Sequence, residues 1–136
     1  MIDETRYGLG VVVAAGFDEV LARTEAALQA EGFGVLTRID VRETLKKKLD
    51  RDFRRYVILG ACNPQLADRA LHAEIEIGLL LPCNVIVYEQ GPGETKVAAM
   101  APIPALGLVG PNEAMEAVGR DADGRLRRAL ASLATA

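Results

Sequence analysis

The sequence contains no tryptophan, and only three phenylalanines and three tyrosines among 136 residues. Nucleic-acid readers that stack bases need exposed aromatic platforms, so this scarcity argues against a nucleic-acid partner. Cysteine is rarer still: Cys62 and Cys83 are too few for a disulfide framework or a four-cysteine zinc site. The single serine, Ser132, lies near the C-terminus, which excludes a serine-nucleophile triad on inventory. Charge of one sign is also lacking; a net −3 gives no global pull toward nucleic acid or an anionic membrane. The uncharged run Val97–Pro111 is broken by Pro102, Pro104, Gly107 and Gly110, and it falls short of the ~20 apolar residues of a spanning helix. Met1–Arg6 shows no basic stretch leading into an apolar one, so no signal peptide is expected. These absences point to a cytoplasmic chain with reduced thiols and no membrane partner.

What is present is core material. Half of the residues are hydrophobic, carried by Ala, Val, Leu and Ile, and the length suits one domain over residues 1–136. Tyr7–Ala14 is apolar and rich in valine and reads as a strand. Phe17, Val20, Leu21, Thr24 and Leu28 fall at helical spacing before Gly32. A second strand follows over Phe33–Asp40. Asp40 and Glu43 stand as a capping box for a short helix to Leu49, anchored by Leu45 and Leu49. Tyr56–Cys62 is a third strand, and Asn63-Pro64 opens a helix with Asn as N-cap and Pro at the first position. Ile77–Leu81 leads through Pro82 into a strand over Cys83–Tyr88. Gln90–Glu94 is a hairpin turn, and Thr95–Ala101 is the fifth strand. Asn112 opens a last helix anchored by Met115, Val118, Leu126, Ala129, Leu130 and Leu133, with Gly119 and Gly124 weakening its middle.

The order β-α-β-α-β-α-β-β-α, the hairpin and the absence of a phosphate-binding glycine loop predict an α+β two-layer sandwich. It should hold a mostly antiparallel five-stranded sheet, with helices mainly on one face. Both faces of the strands are apolar: Cys83, Val85 and Val87 share one side and Asn84, Ile86 and Tyr88 the other. A sheet with one wet face should alternate cleanly with polar residues. The second face is therefore expected to be covered, by another subunit or by the chain's own Pro102–Pro111 segment.

Three readings attach to Cys62 and Cys83. They are two small buried hydrophobes, or half of the ligand shell of a soft metal, or, for Cys62 beside a helix N-terminus, a reactive thiol. The only histidine, His72, belongs to the polar face of its helix. Asn63 has a structural task as N-cap, whereas Asn84 sits in a strand, where Asn is disfavoured, and it pins a loop or points into a pocket. Cys62, Asn63, Cys83 and Asn84 are thus the candidate binding or thiol site. No catalytic constellation, metal site or cofactor is indicated. Between Arg42 and Arg55, seven basic residues face three acidic ones, a local +4 that would suit an anion or simply a solvated helix face. The residues favour a homodimeric module for a small apolar or anionic ligand held under Pro102–Pro111; a thiol-dependent redox or metal-handling protein is the alternative.

The stretches Ile58-Leu59-Gly60-Ala61-Cys62-Asn63-Pro64 and Gly78-Leu79-Leu80-Leu81-Pro82-Cys83-Asn84-Val85 each set a Cys-Asn pair at a strand boundary beside a proline. With Gly32–Thr37, Ile39–Val41, Thr44–Leu49 and Leu106–Gly110, they make the chain resemble the family of small bacterial and archaeal proteins called domain of unknown function 302. The resemblance implies a TATA-binding-protein-like α+β fold, usually homodimeric, and no particular reaction. Glu74-Ile75 stands where relatives typically have Glu-Pro. Met100-Ala101-Pro102 stands where an acidic residue often precedes the proline.

Overall fold

A computed structural model describes residues 1–135. Its elements in chain order are β1 (Asp3–Glu4), β2 (Gly8–Val13), α1 (Phe17–Ala30), β3 (Gly34–Asp40), α2 (Val41–Leu49), β4 (Tyr56–Cys62) and α3 (Pro64–Ala73). A 3-10 helix (Ile75–Leu80), β5 (Cys83–Gly91), β6 (Glu94–Met100), α4 (Pro102–Leu106), a 3-10 turn (Gly107–Val109) and α5 (Glu113–Thr135) complete it. The strands form one sheet in the order β1-β2-β6-β5-β4-β3, with every neighbouring pair antiparallel. The α+β sandwich stands as expected, but with six strands. β1 escaped notice because it is two exposed acidic residues with no apolar alternation to mark it.

The caps explain the element boundaries. Asp40 accepts the Glu43 N–H at 2.9 Å and Asn63 accepts the Leu66 N–H at 3.2 Å, each tying down a free first-turn donor. Asn112 accepts the Met115 N–H at 3.0 Å, while its own N–H donates to the Glu116 carboxylate at 3.3 Å. Pro92-Gly93 closes the β5–β6 hairpin, with Gly93 at φ +69° in the position a Pro-Gly turn reserves for glycine. Leu45 and Leu49 do not anchor α2: no residue of that helix is fully buried, and Leu49 is 63% exposed. Pro102–Val109 is helical, since the prolines fall at the start of α4, where a missing N–H costs nothing.

Odd-numbered residues of the central strands build the main core. Leu9, Val11, Val57, Leu59, Val85, Val87 and Val97 pack under α1 and the C-terminal half of α5, which contributes Leu126, Ala129, Leu130 and Leu133. A second cluster joins Leu66 and Ala70 of α3, Ile77, Leu106 of α4, and Met115, Val118 and Ala122 of α5. The single long helix α5 therefore ties both clusters together. Pro102–Val109 packs in this second cluster, not across the free face of the sheet. Among the described residues no helix is long and apolar enough to cross a membrane.

Candidate functional site

Cys62 ends β4 and Cys83 begins β5. The register pairs Cys83 with Ala61, so the two cysteines are offset by one residue on adjacent strands. Both border a cavity of about 30 Å³, room for about one water, together with Asn63, Leu66, Leu81 and Pro82. Asn84 does not join them. It lies opposite Gly60 and is exposed on the other face of the sheet. Burial, and then the charge of a Cys62 thiolate, push the Cys83 thiol up to about 11. Cys83 is therefore a neutral thiol near pH 7 and a poor nucleophile. No group of three or more His, Cys, Asp or Glu side chains among the described residues is placed to hold a metal ion.

Asn63, which lines this cavity, packs against Gly32. Gly32 ends α1 at φ +86°, and a Cβ there would stand 2.8 Å from Asn63 Nδ2. Arg125 of α5 donates to the Glu31 carbonyl at 3.0 Å, bringing three elements to one corner. Gly60 serves a second close approach: a Cβ there would collide with Thr37 Oγ1 and stand 2.8 Å from Pro82 Cγ. Ala101 is buried in the main core, and its N–H donates to the Tyr7 carbonyl at 2.9 Å, so in this chain that position is a packing site. Glu74 accepts the Glu76 N–H at 3.0 Å and caps the 3-10 helix, while Ile75 points out, 76% exposed.

The second face of the sheet is the larger feature. Directly opposed residues run across it in rows: Ile39, Ile58, Ile86, Ala98 and Gly10 in one, and Tyr56, Tyr88, Lys96 and Val12 in the next. Tyr56 and Tyr88 stack with ring centroids 5.4 Å apart, Phe53 tilts against Tyr56 at 6.1 Å, and Arg54 lies 6.0 Å over the Tyr88 ring. Partial burial, and then the neighbouring Tyr88 and Tyr7 phenols, raise the Tyr56 pKa. Lys96 pairs with Asp3 at 3.2 Å. This aromatic cluster was hidden in a sequence with few aromatics; the β4–β5 register, which sets Tyr56 against Tyr88, was the signal that could have found it. In the basic stretch, Lys46 is bridged to Asp50 and Asp52 and Arg55 to Asp18, so part of its charge is already neutralised.

A six-stranded antiparallel sheet with helices on one face and a small thiol-lined cavity at the strand ends defines an α+β sandwich protein. The chain belongs to the family described as "Domain of unknown function DUF302", which matches residues 9–133. It is similar to the crystal structure of an uncharacterized conserved DUF302 protein from Bacillus stearothermophilus. The two share 35% identity and a TM-score of 0.84, over 96% of this chain and 99% of that one. No curated protein sequence matches it.

Proposed function

We propose that the protein is a homodimeric binding module. Two copies associate through the open face of the sheet, and each holds a small ligand beneath Pro102–Pro111. The observation that carries this reading is the uncovered apolar row Ile39–Ile58–Ile86–Ala98, which the chain's own segment leaves free. The five longer strands, spaced ~4.8 Å apart and about seven residues long, present roughly 600 Å² in projection. Side chains standing on that face bring the accessible area toward the ~800 Å² per partner of a stable interface. The lysine of the two central rows, Lys96, is held by Asp3, so a two-fold copy meets it without like-charge repulsion. Lys96, held by Asp3, is not free to meet a phosphate backbone, which needs several cations. Both cysteines are free thiols, which suits a reducing, cytoplasmic setting.

Sedimentation equilibrium tests the assembly. The wild type is expected at twice the 14.6 kDa chain mass, and Ile86→Lys at one chain mass with an unchanged circular dichroism spectrum. A wild type that stays monomeric at high micromolar concentration overturns the dimer. If that monomer instead gained mass on adding single-stranded RNA, the tyrosine face would be a nucleic-acid platform.

A further inference from the structure

We propose that the cavity between α4 and the first half of α5 binds a small anionic amphiphile, a carboxylate with a short alkyl chain, and that Arg120 receives its head group. This names the ligand of the binding-module reading and rests on it, though not on dimerisation. The cavity opens to the surface beside Ile103, Glu116 and Arg120 and holds about 270 Å³. At ~30 Å³ for each water-sized group, that is space for about nine non-hydrogen atoms. Ile103, Leu106 and Met115 supply apolar wall, and Glu116 and Arg120 supply the polar side.

Gly119 forms part of the same wall and is buried in the middle of a helix, where glycine is worse than alanine. Packing does not require it. A Cβ there would stand 3.7 Å from Ile103 Cα and 3.7 Å from the Pro102 carbonyl oxygen, which is ordinary contact. What the glycine preserves is space beside α4. Of the two glycines inside α5 that packing does not require, Gly119 borders the cavity and Gly124 does not.

Charge singles out Arg120. The other arginines of α5 are engaged: Arg125 with Asp121 at 2.7 Å, Arg127 with Asp123 at 2.8 Å and Arg128 with Glu31 at 3.0 Å. The Arg120 side chain has no hydrogen-bond or ion-pair partner among the described residues, and it borders the cavity. Glu116 is the one opposing charge. Its carboxylate already accepts the Asn112 N–H at 3.3 Å, and it sits in the first turn of α5, where the helix dipole offsets negative charge. A guanidinium free beside an apolar cavity selects an anion with an apolar tail.

Calorimetric titration of octanoate, octanol and octylamine into the full chain decides the matter. Octanoate is expected to bind most tightly. Arg120→Gln should weaken octanoate about tenfold, the worth of one hydrogen bond to a charged group, and leave octanol unchanged. Gly119→Ala should raise the thermal midpoint yet weaken octanoate and octanol alike by about fourfold, the worth of one methylene of lost space. Gly124→Ala, whose Cβ would meet only the end of Arg128 at 3.5 Å, should raise the midpoint with no change in binding. Octanol binding as tightly as octanoate, or octylamine binding more tightly, overturns the anionic assignment while the binding module stands. Failure of all three probes to bind overturns the module's ligand as well.

Discussion

Cys83 shows how one buried side chain couples the site to pH. Its thiol is raised from 9.0 to about 11 by burial and by Cys62, so the folded chain holds the proton that the unfolded chain releases first. The contribution to stability is complete below pH 9.0 and is lost as pH climbs from there to about 11. A shift of that size corresponds to roughly 2–3 kcal/mol. Urea unfolding between pH 8 and pH 11 should therefore show the wild type losing more stability than Cys83→Ala; parallel curves would contradict the buried thiol. Asn63 is the other residue-scale test. Its Oδ1 caps α3 and its Nδ2 lies against Gly32, so Asn63→Ala should cost about 1 kcal/mol or somewhat more in denaturant unfolding. Gly32→Ala should cost more than a cap alone, because a Cβ at φ +86° is strained and also meets the Asn63 amide.

At the scale of the element, α5 carries the clearest stability prediction. Gly124→Ala should add about 1 kcal/mol to unfolding free energy, since the helix gains propensity and the new methyl meets only a flexible arginine. No gain would mean that α5 is held by tertiary contacts alone. The elements legible in advance were those with two agreeing signals. Asn63-Pro64 joined a cap to a fixed φ, and Phe17–Leu28 joined periodicity to a glycine stop. Those missed had one signal or a misleading one. Asp3–Glu4 pairs with β2 through backbone alone, and prolines disguised α4 although their places at its start permit a helix. The Cys62–Asn63–Cys83 corner could be read from its position at adjacent strand ends. Asn84 could not be placed, because period-two alternation sends it to the opposite face from Cys83, and which face is open is a tertiary fact. The cavity beside Gly119 left only the oddity of a glycine inside a helix.

For the whole molecule, the open second face ties the proposed dimer to a dependence of stability on concentration. One face is sealed by α1 and α5, and the other leaves Ile39 49% exposed and Ile58 and Ile86 only half-buried in a single copy. If two copies share that face, the folded dimer is favoured over unfolded chains by mass action. Each tenfold increase in protein concentration then adds about 1.4 kcal/mol per dimer. For a domain of this length, that moves the thermal midpoint by about 2–3 °C. Ile86→Lys should abolish the concentration dependence and lower the midpoint at high concentration, while at low concentration it approaches the wild type. Salt separates this interface from an electrostatic one. The facing rows are apolar and Lys96 is paired with Asp3, so the wild-type midpoint should keep its concentration dependence from low salt to 1 M. A dimer that dissolved as salt rose would instead be held by charged groups such as the basic stretch of α2, and the sheet face would be left without an occupant.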